Sequence, residues 1–133
     1  MHIERLSTDR TIPYIPEFAG ERAKADADPS YQPVVMHLRP MSVAQFERSG
    51  EIFRTENDAI GFRLREDRED AVFVEHVARV ENLQFADGTP IENGEQFAAS
   101  RKAATSALAP LYLEVLAAIR DLSILREGER KNS

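Results

Sequence analysis

VARVENLQFADGTPIENGEQF, residues Val77–Phe97, is the stretch from which the architecture can be worked out. Val77, Arg79, Glu81, Leu83 and Phe85 read by twos, the period of a strand with one buried face, and this places a strand near Ala78 to Phe85. Ala86-Asp87-Gly88 then makes the reversal, because glycine tolerates positive φ and the Asp side chain bonds local backbone NH groups. A short return strand, Thr89 to Ile91, is the expected partner. Asn93 with Gln96 forms a capping box that opens a helix through Phe97 toward Ala107. A competing helix start, Thr89 with Glu92 and Pro90 in the first turn, ranks lower because it would remove the return strand. The stretch reads as structural punctuation, and nothing in it suggests chemistry.

Working upstream, EDAVFVEHVARVENL puts Phe73, Val77 and Val80 at i, i+4 and i+7, with acids at the front that suit a helix N-terminus. A helix from Glu69 to about Val77 therefore leads into the strand. Before it, Arg63 to Asp70 (RLREDRED) is nearly all charge and reads as a solvated surface or helix start. Residues 50–66 give no clear period, since Gly50 and Gly61 interrupt the apolar positions. Ser42 with Gln45 is another capping box, starting a helix near Val43. Val34 to Arg39 (VVMHLR), between Pro33 and Pro40, has the β-branched start of a strand, with Val34, Met36 and Leu38 on one face and Val35, His37 and Arg39 on the other. Residues 1–33 hold Pro13, Pro16, Pro29 and Pro33 around ERAKADADPS, which reads as a proline-rich arm with one ordered piece, Tyr14 to Phe18, docked on the domain through its aromatics.

Downstream, Pro110 occupies the first turn of PLYLEVLAAIRDLSIL, in which Tyr112, Val115, Leu116, Ile119 and Leu122 recur at helical spacing. Gly128 is the expected end of this helix, with a fraying charged tail after it. The organisation is thus an arm (1–33), a single domain (34–125) and a tail (126–133). Its fold class is α+β, with a short N-terminal strand and hairpin elements packed on a mainly helical C-terminal half.

A chain of 133 residues with 42% hydrophobic and 30% charged residues suits one core, burying roughly two-thirds of its unfolded surface. Cysteine is absent, which removes disulfides and thiolate metal sites and fits a reducing compartment, with the cytoplasm as the expected location. No apolar run approaches the roughly 18 residues of a membrane span. The net charge is −6 with the signs dispersed: residues 1–33 carry 4 basic and 6 acidic groups, and residues 42–70 carry 5 and 8. No basic patch exists for a phosphate backbone, so neither nucleic acid nor membrane is an expected partner.

The residues that could do chemistry do not assemble into a site. Nucleophilic catalysis needs a Ser, Thr or Cys beside an oriented base, and the imidazoles are only His2, His37 and His76. Glu75-His76 lacks the second His at i+4 that a helical zinc site uses. His37 reads as a cross-strand packing partner. The pairs Asp67 with Asp70 and Glu66 with Asp70 lie in a charge run without apolar surroundings to separate their pKa values, so they read as solvated acids. The glycines are isolated, and Asn93-Gly94 lacks the Gly and Lys of a phosphate loop. No catalytic residue, cofactor or metal is expected.

In order, YIPEFAGER, the proline-bounded PVVMHLRP strand with its capped helix, HVARVENLQFADGTPIENGEQF and the closing helix IRDLSILREGERKNS resemble the tail assembly chaperones of long-tailed, siphophage-type bacteriophages and prophages. The matching residues are Val80, Glu81, Asn82, Leu83, Gly88, Pro90 and Gly94, then Ile119, Leu122, Leu125, Lys131 and Asn132, over about two-thirds of the chain. The alanine-rich ASRKAATSALAP departs from the pattern. The resemblance implies a non-enzymatic role in the infected or lysogenic host. Such proteins bind the long tape-measure protein, keep its apolar helices soluble and help recruit tail-tube subunits. The alternative is a small tail or neck protein retained in the virion. Most of the Leu111–Leu125 helix should fill the domain's own core. Leu113 and Ile124 fall off the main stripe and are the candidate partner-binding residues. A homo-oligomer is compatible with this reading.

Overall fold

The computed structural model describes residues 10–103 and 108–132, with side chains for all of these except residues 52, 60, 102, 103 and 124–132. In chain order the elements are β1 (Ile12–Tyr14), α1 (Glu21–Ala27), β2 (Val35–Leu38), α2 (Val43–Ser49), β3 (Gly50–Arg54), β4 (Ile60–Leu64), α3 (Glu69–His76), β5 (Val77–Glu81), α4 (Gly94–Ala103) and α5 (Ala109–Asn132), with short 3-10 turns at Phe18–Gly20 and Glu66–Arg68. The result is an α+β fold with its long helices in the C-terminal half.

Strand β2 lies in the middle of a three-stranded sheet of order β1-β2-β5, antiparallel to both neighbours, with Tyr14 opposite Met36 and Met36 opposite Val80. The period-two pattern of VVMHL sends Val34, Met36 and Leu38 inward, at 8%, 0% and 1% exposure. These side chains join Val72 and Phe73 of α3, Phe97 of α4, and Leu111, Tyr112, Val115 and Ile119 of α5 in one core. Each such burial stabilises the fold by about 1.5–3 kcal/mol. Phe73 is the hinge of the packing: its ring stacks on Phe97 and on Tyr112, both at 4.7 Å between centroids, so a single side chain ties three helices together.

Local signals explain most helix starts. Ser42 accepts from the Gln45 NH while the Gln45 amide oxygen accepts from the Ser42 NH, the reciprocal box expected there. At α4 the Asn93 side chain caps the Gln96 NH, whereas the Gln96 amide reaches the NH of Glu92 rather than that of Asn93. The rival start at Thr89 is not used. Gly94, the first residue of α4, has a packing reason to be glycine: a Cβ there would lie 2.3 Å from the Phe73 carbonyl oxygen. The close approach of α4 to the α3–β5 junction requires its absence.

Several expectations need correction. The strand expected over residues 78–85 stops at Glu81, because Asn82 turns into the left-handed region (φ 63°) and its side chain donates to the Pro33 carbonyl. Past that break only an isolated bridge, Gln84 to Pro90, remains of the return strand. The Asp87-Gly88 reversal does form, with Gly88 at φ 91° and the Gly88 NH donating to Phe85. Residues 50–64, which show no clear period in the sequence, are a hairpin in which five residues of β3 pair with five of β4. In the segment read as an arm, β1 is an edge strand of the main sheet and ERAKADA forms α1. Its prolines flank that helix instead of interrupting it, and alanine favours it. Finally, the α5 backbone runs through Gly128 to Asn132: glycine in a helix costs only about 1 kcal/mol relative to alanine and is not by itself a stop. The helix continuing from Asn93 is observed to Ala103, and residues 104–107 lie outside the description.

Candidate functional site

Leu113 is the most exposed large hydrophobic residue described, at 62%. It sits in the second turn of α5, one residue after the buried Tyr112 and two before the buried Val115, so helix geometry alone turns it away from the core. Leu113, Leu116, Ala117 and Arg120 follow at i, i+3, i+4 and i+7 and line one face of α5. That face borders an open cavity of about 180 Å³. Phe62 and Leu64 of β4 form one wall, and Met41 and Val72 lie behind it. An apolar cavity of roughly 150 Å³ accepts a benzene-sized group, so this one has room for a large apolar side chain.

Two charged residues frame the groove. Arg120 is paired with the neighbouring Asp121 at 2.9 Å. Glu69, at the start of α3, lines the cavity, and among the described residues no donor hydrogen-bonds its carboxylate. Burial pushes the Glu69 carboxyl upward, partly offset by the Arg101 charge. The wall supplied by β4 was not legible in the sequence, because residues 50–66 gave no strand period; nor was the placing of Glu69 beside Leu113, which only packing of α3 on α5 creates. Of the two residues expected to meet a partner, Leu113 is on this groove. Position 124 lies roughly 16 Å further along α5, and the Ile124 side chain is outside the described set.

The other polar groups singled out in the sequence hold the fold together. Asp70 is not a solvated acid: it accepts from the Tyr112 hydroxyl at 3.0 Å and from Arg101 at 3.2 Å, while the Arg101 guanidinium stands 4.1 Å from the centre of the Tyr112 ring. Burial and this carboxylate raise the Tyr112 phenol well above its ordinary range. Its neighbours in sequence suggested a hydrated charge run, yet the chain turns Asp70 inward once α3 begins. His37 reaches Glu81 at 2.8 Å across β2 and β5, and this contact, with the Arg79 charge, lowers the Glu81 carboxyl. His76 is 2% exposed, with Nδ1 2.9 Å from the Arg39 carbonyl oxygen, and burial lowers its pKa. His2 lies outside the described residues.

On α5 a second polar anchor faces the opposite way. The Glu114 carboxylate accepts from the Tyr14 hydroxyl at 2.6 Å and from the backbone NH groups of Glu17 and Phe18 at 2.8 and 3.0 Å. Burial, then the Glu114 contact, raises the Tyr14 phenol to about 12. This clasp holds the N-terminal segment on α5, and among the described residues it leaves the adjoining Leu113 face uncovered. Among the described residues no helix is long and apolar enough to cross a membrane, and no group of three or more His, Cys, Asp or Glu side chains is placed to hold a metal. Compared with known protein families, characterised proteins and solved structures, the chain matches none.

Proposed function

We propose that this chain is a non-catalytic chaperone of phage tail assembly, acting in the host cell by binding the tape-measure protein and assisting assembly of the tail tube. The observation that carries a binding role is the uncovered apolar face of α5 at Leu113, next to a cavity of about 180 Å³. A buried stripe on the same helix already serves the core, and among the described residues nothing covers the exposed leucine beside the open apolar groove. The choice of partner rests on the ordered resemblance described above. A tape-measure protein exposes long runs of apolar helix before the tube closes around it. A small acidic protein with dispersed charge and a helix-sized apolar face is suited to keep such helices in solution.

Co-expression with the tape-measure protein that this reading expects in its gene neighbourhood tests it. The expected outcome is that the tape-measure protein becomes soluble only in the presence of this chain, that the two elute together on size exclusion, and that purified virions lack this chain. Equal solubility of the tape-measure protein alone, with no complex, would overturn the chaperone reading, and presence of the chain in virions would establish the tail or neck component instead.

A further inference from the structure

We infer that the groove between β4, the start of α3 and the outer face of α5 receives one amphipathic helix carrying a basic residue, its apolar side chain entering beside Leu113 and its cation meeting the Glu69 carboxylate. The inference deepens the chaperone reading and rests on it, since it names the surface and the chemistry of the partner segment.

The shape of the site argues for a helix. Leu113, Leu116, Ala117 and Arg120 make a ridge two turns long, about 10 Å, on a helix whose opposite side is committed to the core. A second helix can lay its own ridge in the furrow between this one and the β4 wall, where Phe62 and Leu64 supply apolar surface. The space beside Leu113 has the size of one large side chain, which suits an anchor residue of the kind that carries helix-in-groove recognition.

The charge argues for a basic segment. Arg120 is already neutralised by Asp121 at 2.9 Å, whereas Glu69 has no hydrogen-bond donor among the described residues and the Arg101 charge near it is set against those of Glu66 and Asp70, so the balance of charge at the rim is negative. The whole chain adds −6 in the same sense. An incoming Lys or Arg would pair with a partly buried carboxylate, and an incoming Glu would be repelled by it. The same charge opposes a second copy of this acidic chain as the occupant.

The test uses the full chain and two synthetic helical peptides of about 20 residues, each with Leu at i, i+3, i+4 and i+7 and flanked by either Lys or Glu, with binding read by fluorescence anisotropy. The Lys peptide is expected to bind on the order of tenfold or more tightly than the Glu peptide, the effect of one well-placed charge pair. Glu69→Lys should reverse that preference, and Leu113→Glu should abolish binding of both while leaving the melting temperature unchanged, because the side chain is exposed. Val74→Glu, at a 43% exposed position outside the groove, should bind as the parent does. Equal binding of both peptides, no binding of either, or equal loss with Val74→Glu would overturn the inference. So would a dimer of the parent chain that Leu113→Glu dissolves, since the occupant would then be a second copy. Co-purification separates the two ideas. A tape-measure protein still held by Leu113→Glu removes the groove and keeps the chaperone. One never held by the parent chain, while the charge reversal with peptides stands, removes the chaperone and keeps the groove.

Discussion

The chain reverses direction at Asp87-Gly88 and again between β3 and β4, and the two reversals are built on opposite principles. Around Gly88 the ladder is poor, a single bridge, but the flanks are buried: Val80 is 4% exposed and Ile91 2%, and Gly94 lets α4 close over them. In the β3–β4 hairpin the ladder is complete over five pairs, yet Phe53 is 38% exposed and the connection to the core runs through Phe62 and Leu64, the Phe62 ring meeting Phe46 edge-on at 4.6 Å. Backbone regularity and tertiary anchoring are therefore separable in this molecule. The irregular reversal belongs to the core, and the regular one is an attachment that walls a groove.

Substitutions in the two regions should reveal that difference. Ile91→Ala, in the irregular reversal, is expected to have the largest effect, about 2–5 kcal/mol in chemical denaturation, as a buried large-to-small change that leaves a cavity. A loss below that range would mean that this region is not part of the core. Gly88→Val should follow, at about 1–3 kcal/mol, because Gly88 sits at φ 91° although there is open space around it. An unchanged denaturation midpoint would show that the turn relaxes at no cost. Phe62→Ala in the regular hairpin should cost least in global stability, about 1–2 kcal/mol for a partly buried ring and its aromatic partner. Its signature should instead be local, with faster amide hydrogen exchange over residues 50–64 and little change in α3 to α5. Cooperative loss of protection across the whole chain would make the hairpin part of the core and erase the contrast.

The same contrast explains which parts were legible in the sequence. The Gly88 turn, the capping box at Ser42, the side-chain cap at Asn93, and the inward face Val34-Met36-Leu38 are written in short-range patterns, where a few residues satisfy backbone groups or alternate across a strand. The hairpin at 50–64 lacks such marks. Its turn, Thr55–Ala59, contains no glycine and places Asp58 in the left-handed region (φ 62°), held by the Thr55 carbonyl. Local propensity at an Asp permits that conformation without announcing it. Of the candidate site, Leu113 was recognisable as a residue off the apolar stripe. Its neighbours Phe62, Leu64 and Glu69 come from parts of the chain about 50 residues away, and no local pattern connects them.

Sequence alone determined the α+β class, the positions of β2, α2, α3 and α5, the Gly88 turn and the buried stripe through Tyr112, Val115 and Ile119, because each depends on periodicity or on hydrogen bonds within a few residues. Tertiary structure decided what depends on contacts between distant segments. It recruited β1 to the sheet and held that segment to α5 through Glu114; it also ended β5 at Asn82 and turned Asp70 from a hydrated acid into the partner of Tyr112 and Arg101. It also left one face of α5 uncovered beside Glu69. Whether an apolar side chain at helical spacing is core or surface depends on what the rest of the chain brings against it, and the spacing itself carries no record of that.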